Sequence, residues 1–250
     1  MFGLRDIDRT LRGEFRDDIG SIRLPSLLFA NLLLAALYGI CMGFFGLFAR
    51  GSEWEYRQMI ACVVKVPALF LLTFLVTFPS LYVFNTLFGS RQSLGHLARL
   101  VTAAAGVLLA VLAGLGPIVA FFSVTTINYP FAVLMNVAAF AFAGALGLLN
   151  LFKTLRYLAG KAKVAAVVED EGGEVQVPLV SSEPTIDMTK SRGVFLLWIV
   201  LVVLVGMQMS WVLRPFIGSP DMPFAWFRDR TGSFAEAVGK ALRLAFGAGQ

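Results

Sequence analysis

The chain is poor in the side chains from which metal sites and covalent cross-links are built. Among its 250 residues there are one histidine, His96, and two cysteines, Cys41 and Cys62. This stock is too small for a cluster of His, Cys and carboxylate ligands at metal-binding spacing, so the sequence predicts neither a metal site nor a cofactor. Both cysteines lie in apolar stretches, which favours two buried thiols over a disulfide between helices.

Charged residues are scarce as well. They make up 15% of the chain and apolar residues 58%, with a mean hydropathy of +0.77, whereas a soluble globular domain carries about 25% charged residues. A bilayer core requires about 20 consecutive apolar residues in a helix, and five tracts meet this length. We predict an all-α polytopic membrane protein with a bundle of five transmembrane helices, over residues 26–48, 62–88, 100–122, 131–151 and 193–213.

Lys and Arg residues are distributed unevenly over the two faces that five spans create. One face, formed by residues 1–25 and the connections 89–99 and 152–192, holds 13 of them, and the other holds seven. By the positive-inside rule the N-terminus lies in the cytoplasm and the C-terminus outside. The net charge of +5 is spread over the loops without a basic stripe, so we expect contacts with the lipid bilayer and none with nucleic acid.

Two segments on the cytoplasmic face have patterns of their own. Residues 1–25 carry an apolar side chain at every third or fourth position. This spacing predicts an amphipathic helix that either lies on the membrane surface or docks a partner. Residues 152–192 form a cytoplasmic loop, in which valine-rich stretches flank Gly172 and Gly173 and fit a β-hairpin as well as a flexible linker.

The C-terminal residues 214–250 form a tail on the outer face. The first part, 214–230, is rich in proline and aromatic residues. Proline prevents regular structure there, and the aromatic side chains favour a segment folded back onto the bundle. A short amphipathic helix is predicted to follow, starting at Ser233, which forms a capping-box pattern with Glu236.

Polar side chains inside the spans are candidates for function because their burial in lipid is costly. Lys65 is the one charged residue in the five tracts. Three roles are open to it: snorkelling of its ammonium to the headgroups, a bond to another helix, or a place in an ion or ligand pathway. The other polar residues of the outer half either join helices by hydrogen bonds or line a polar cavity. The candidate cavity comprises Lys65, Asn136, Gln208, Ser210 and Arg214.

Small residues at four-residue spacing allow two helix backbones to approach closely. Such ladders lie in the third and fourth spans and predict either a tight antiparallel hairpin of these two helices or self-association. Pro79 and Pro117 are expected to bend or break their helices, because proline removes a backbone hydrogen bond. The predicted packing residues are Gly106, Ala110 and Gly114 in the third span and Ala139, Ala143 and Gly147 in the fourth.

Two stretches carry a resemblance to known proteins: KVPALFLLTFLVTFPSLYVFN at 65–85 and MQMSWVLRPFIGSPDMPFAWFR at 207–228. They resemble parts of uncharacterised bacterial multi-span proteins, some of which carry an actin-binding WH2 label. In general organisation the chain is also similar to Yip1-like proteins. The resemblance implies a bacterial inner-membrane location and brings no known activity with it.

Two function classes remain for a chain of this kind. The sequence favours a non-catalytic membrane subunit or scaffold, with a protein partner or a second copy of itself. The alternative is a channel or small-solute transporter that uses the polar cavity. An intramembrane protease is disfavoured, since no Asp or Glu lies in any of the five tracts. We therefore predict that the protein is not an enzyme.

Overall fold

The structure is a computed structural model, which describes residues 23–49, 55–87, 94–126, 128–170, 188–218, 224–228 and 232–246. Within these ranges every regular element is an α-helix, as predicted for the all-α class. In the hydrocarbon core of a bilayer a single apolar segment has to be helical, because each backbone N–H and C=O must find its hydrogen-bond partner inside the segment. The helices are α1 (Leu24–Ala49), α2 (Glu55–Leu87), α3 (Leu94–Thr125), α4 (Tyr129–Asp170), α5 (Met188–Val212) and α6 (Phe234–Phe246).

Four helices are long and apolar enough to cross a membrane. Their candidate spans are Leu24–Phe48, Tyr56–Ser80, Ala98–Thr125 and Tyr129–Thr154. The predicted fifth span corresponds to α5, in which Leu197–Val212 is an apolar stretch and the preceding residues 193–196 are apolar in sequence as well.

Helix α1 lies at the centre of the contacts, since it packs against both α2 and α3. Helix α4 packs on α3, α5 packs on α2, and α6 contacts α4 and α5. The main core lies where α1 to α4 meet and includes the buried side chains of Tyr38, Val66, Leu112 and Ala143.

Two glycines of α1 allow α1 and α2 to pack closely. A Cβ atom on Gly39 would lie 2.8 Å from the carbonyl oxygen of Cys62, and one on Gly43 would lie 2.8 Å from the Cγ of Met59. Either would push the helices apart, so α1 presents a small-residue face to α2. Gly39 and Gly43 have the same four-residue spacing as the predicted ladders, but they were not among the predicted packing residues.

The predicted cytoplasmic loop 152–192 contains helix at both of its ends. Helix α4 continues to Asp170 and α5 begins at Met188, so the valine-rich stretch before Gly172 is helical and does not form a β-hairpin. Residues 152–170 contain four Ala, three Lys, two Leu and one Arg, which are good helix formers, and they extend the helix of the preceding span. The extension carries α4 about 24 Å beyond Thr154. The remaining residues, 171–187, lie outside the described ranges.

The prolines do not break their helices. Helix α2 runs through Pro79 and α3 runs through Pro117, so the predicted break at Pro117 is wrong. A break would leave several backbone groups without partners in hydrocarbon, whereas continuing the helix sacrifices one bond per proline. The predicted bend at these two positions stays a prediction.

The two chain ends differ in how far the structure describes them. The predicted N-terminal amphipathic helix falls almost entirely on residues 1–22, which lie outside the described ranges. At the other end α6 begins after Ser233. The backbone N–H of Ser233 donates to Oε2 of Glu236, and the N–H of Glu236 donates to Oγ of Ser233, both at 3.3 Å. This reciprocal pair confirms the predicted capping box.

Candidate functional site

Three polar side chains on one face of α2 form the candidate site. Gln58, Cys62 and Lys65 are spaced at four and three residues, which places them above one another along a helix. All three are buried, and Lys65 is only 2% exposed. We call these three residues the polar strip. It faces the C-terminal segment, here residues 214–218 and 224–228, which follows α5.

Lys65 holds the C-terminal segment at two points. Its Nζ donates to the carbonyl oxygen of Pro215 at 2.7 Å and to that of Trp226 at 2.5 Å. The ring centroid of Phe227 lies 5.3 Å from the same Nζ, close enough for a cation–π interaction. The ammonium is therefore surrounded by two carbonyl dipoles and an aromatic face, which replace the water it loses on burial.

Cys62 and Gln58 share a third carbonyl of the segment. The Sγ of Cys62 donates to the carbonyl oxygen of Phe216 at 2.8 Å, and the Nε2 of Gln58 donates to the same oxygen. A carbonyl oxygen has two lone pairs and accepts both bonds. The strip thus supplies the donors for three carbonyls that lie outside any helix, which is how irregular backbone is tolerated at membrane depth.

A glycine lets the segment turn against the strip. Gly218 has a φ of +76°, a conformation that glycine adopts at no steric cost. A Cβ atom there would also lie 2.9 Å from Cδ of Gln58. Both the backbone angle and the space require glycine at this position.

The ammonium of Lys65 bonds to two carbonyls of the C-terminal segment. Snorkelling of the same ammonium to the headgroups stays a prediction. The bond to another element is the role that the structure supports, although the acceptor is irregular backbone and not a neighbouring helix. The C-terminal segment does fold back onto the bundle, since Ile217 is part of the main core. Cys62 is a buried free thiol and Cys41 a half-buried one, and neither forms the disulfide that was disfavoured.

The other predicted cavity residues do not converge with Lys65 as one group. Asn136 is buried between α1 and α4, where its Oδ1 accepts from the hydroxyl of Tyr38 at 2.8 Å and its Nδ2 donates to Ala132 O at 2.9 Å. Gln208 is exposed on α5. Ser210, also on α5, donates its hydroxyl to the carbonyl of Met207 at 2.8 Å.

Arg214 is the other member of the predicted cavity that belongs to the C-terminal segment held by Lys65. It directly precedes Pro215, whose carbonyl accepts from Lys65. Its guanidinium lies 3.8 Å from the ring centroid of Trp211. The predicted cavity is therefore divided: Lys65 and Arg214 at the C-terminal segment, Asn136 in the bundle, and Gln208 and Ser210 on α5.

Further polar contacts join the helices. The Nδ2 of Asn31 on α1 donates to the carbonyl of Thr102 on α3 at 2.9 Å. The Nε1 of Trp198 on α5 donates to the carbonyl of Thr77 on α2 at 3.1 Å. Each such bond is worth about 0.6–2 kcal/mol in a membrane, and together with Tyr38–Asn136 they fix which helix faces which.

The two predicted small-residue ladders differ in how closely they are packed. Ala139, Ala143 and Gly147 are buried, and a Cβ atom on Gly147 would lie 2.9 Å from the Cβ of Leu108 on α3. The ladder of α4 thus packs against α3 in the predicted hairpin. On α3 the burial of the ladder decreases along the helix, because Gly106 is buried, Ala110 is half-buried and Gly114 is exposed. Nothing lies within 4 Å of a Cβ atom built on Gly114.

In the part of the chain that the structure describes, no group of three or more His, Cys, Asp or Glu side chains could hold a metal ion. The residues of the strip offer hydrogen-bond donors to backbone carbonyls and no assembled acid–base pair. The arrangement is suited to holding a polypeptide segment. No protein-family model, no curated protein and no solved structure matches this chain.

Proposed function

We propose that the chain is a non-catalytic membrane subunit or scaffold, which joins a larger assembly through the outward face of α5. The polar groups buried in the bundle support this role. Lys65 and Asn136 have their hydrogen-bond partners within the chain, so their contribution is to the bundle's own geometry.

The observation that carries the proposal is the position of Gln208. The amide lies on an exposed apolar face of α5, which also presents Leu197, Val200, Leu204 and Met207. Lipid chains offer a primary amide no hydrogen bond, whereas a neighbouring helix does. Gln208 therefore favours a partner helix on this face, either from another protein or from a second copy.

The proposed assembly lies in a bacterial inner membrane with five crossings, the N-terminus in the cytoplasm and the C-terminus outside. The uneven distribution of Lys and Arg supports this orientation. Helix α5 supplies the fifth crossing, since it continues before Leu197 to Met188. Helix α6 then lies along the outer interface, with Leu242 and Leu244 exposed toward lipid.

The number of crossings is tested with reporter fusions after residue 250. Alkaline phosphatase is active only outside the cytoplasm, and green fluorescent protein fluoresces only when it folds inside. Five crossings from a cytoplasmic N-terminus predict an active phosphatase and a dark fluorescent protein. The reverse pattern would place the C-terminus in the cytoplasm and refute the proposed topology.

The assembly is tested by co-purification of two differently tagged copies, and of other proteins, in mild detergent. We expect Gln208→Leu to weaken association by about 3- to 30-fold, because one interhelical hydrogen bond contributes about 0.6–2 kcal/mol. Val76→Leu, on an exposed residue of α2, is the matched control and should leave association unchanged. A monodisperse monomer without any co-purifying protein would refute the proposal.

A further inference from the structure

Lys65 lies well inside the candidate span of its helix. The span of α2 begins at Tyr56, nine residues before Lys65, so the Cα of Lys65 lies about 14 Å from the start of the span along the helix. The span has 25 residues and a length of about 37 Å, which exceeds the hydrocarbon core of about 30 Å. With the excess divided equally between the two ends, this Cα lies about 10 Å inside the hydrocarbon.

Helix α1 gives the same depth independently. A Cβ atom on Gly39 would lie 2.8 Å from the carbonyl oxygen of Cys62, so Gly39 and Cys62 lie at one height in the bundle. Gly39 is nine residues before Phe48, where the span of α1 ends, which again corresponds to about 14 Å. Lys65 follows Cys62 by three residues on a helix that runs away from this end, so it lies at least as deep.

The exposed surface at this height is apolar. Ile60 and Val64 on α2 and Ile40 on α1 are exposed there. The exposed charged residue Arg57 lies nearer the start of α2 than any of the three lies to it in height. Apolar side chains that are exposed on two adjacent helices at one height form a surface that acyl chains cover at a lower cost than water does.

The C-terminal segment contacts α2 over the same range of depth. Its Gly218 lies beside Gln58, since a Cβ atom there would lie 2.9 Å from the Cδ of that side chain. The carbonyls of Pro215 and Trp226 accept from Lys65, which is seven residues further along α2, or about 10 Å. The described parts of the segment therefore lie along α2 from its first turns to the depth of Lys65.

Two aromatic side chains of the segment separate the ammonium from the surface. The ring centroid of Phe227 lies 5.3 Å from Nζ of Lys65, and the side chain is also 60% exposed. Trp226 is 47% exposed, and its ring packs on Phe224 with centroids 5.8 Å apart. Because a charge in hydrocarbon is costly, a cover of this kind is required at this depth. The outer sides of the two rings continue the apolar surface of the spans.

We propose that the C-terminal segment is embedded in the leaflet nearest to it, with Trp226 and Phe227 in contact with the acyl chains of the surrounding lipids. The polar strip supplies the donors for the backbone carbonyls, and the two rings supply the apolar surface that a membrane-spanning helix would otherwise present. The inference is independent of the partner proposed for α5, because both rings belong to the C-terminal segment.

The test is fluorescence quenching of the full chain in phosphatidylcholine vesicles. One quencher is bromine on the upper half of the acyl chains, and the other is iodide in the water on both sides of the membrane. The difference in emission between the parent and Trp226→Phe isolates Trp226, an exposed side chain whose replacement leaves the bundle intact. We expect bromine to reduce this emission at least about threefold more than iodide does, because the ring lies below the headgroups.

Val64→Trp, placed in the Trp226→Phe chain, is the matched reference for this depth, because Val64 is exposed on α2 directly beside Lys65. Its ratio of bromine to iodide quenching should equal that of Trp226 within about twofold. Stronger quenching of Trp226 by iodide than by bromine would place the segment in water and overturn the proposal. Protection of Trp226 from both quenchers would assign the two rings to a protein neighbour and also overturn it.

Discussion

Replacing Lys65 with methionine should release the C-terminal segment while leaving the helices in place. Methionine keeps a long unbranched apolar side chain but removes the donor for the carbonyls of Pro215 and Trp226. A buried acceptor left without a partner costs about 1–3 kcal/mol, so the upper limit for the two is about 6 kcal/mol, and the part-buried carbonyl of Trp226 contributes less than that of Pro215. Part of this is offset because the variant no longer buries an ammonium. We expect a net loss of about 2–4 kcal/mol in docking of the segment.

The loss is measured by hydrogen–deuterium exchange of residues 214–228 in detergent micelles. A change of about 2–4 kcal/mol lowers the ratio of docked to released segment by about 30- to 700-fold, and amide exchange should accelerate by a similar factor. Val64→Met is the matched control, because Val64 precedes Lys65 and is 53% exposed. Exchange of the segment in Lys65→Met within about twofold of the parent would refute the reasoning, since the two bonds would then contribute nothing to docking.

Three further predictions concern packing and turns. Gly147→Val should lower the thermal unfolding temperature in detergent, because a Cβ atom there would lie 2.9 Å from the Cβ of Leu108 on α3, whereas Gly114→Ala, with open space around it, should not lower the temperature. Tyr38→Phe and Asn136→Leu should be coupled by about 0.6–2 kcal/mol in a double-mutant cycle; additive effects would contradict their hydrogen bond. Gly218→Ala should increase proteolytic cleavage of the C-terminal segment, since its φ of +76° disfavours alanine by about 1–2 kcal/mol, and unchanged cleavage would contradict this.

Local patterns predicted the parts of the fold that depend on one stretch of chain at a time. Apolar tracts of sufficient length predicted four long apolar helices within a few residues of their candidate spans, except for the second, which is Tyr56–Ser80 and not 62–88. The capping box of Ser233 and Glu236 was correct for the same reason, because both partners belong to a single turn. For the stretch around Gly172 and Gly173 a β-hairpin and a flexible linker were both open. The hairpin is wrong, because its first valine-rich flank continues a long helix and the strand preference of valine depends on context.

The face that each helix turns toward its neighbour was predicted less well. The ladder of Ala139, Ala143 and Gly147 packs as its spacing indicates, but Gly114 points to open space, while Gly39 and Gly43 form a contact that was not anticipated. Small residues at four-residue spacing form one face of a helix. The spacing does not show whether another helix packs on that face, because helix pairing depends on all the faces that could pack there.

The sequence by itself determined that this protein suits a membrane, and with that its all-helical architecture. In the hydrocarbon core of a bilayer, a single segment must form its backbone hydrogen bonds within itself. Only the tertiary structure decided what the charge inside the membrane does. Lys65 bonds to a carbonyl 150 positions further along the chain, and no periodicity links the two residues. A buried ammonium takes whichever dipoles the fold brings within about 3 Å, so its partners appear only when the path of the C-terminal segment is known.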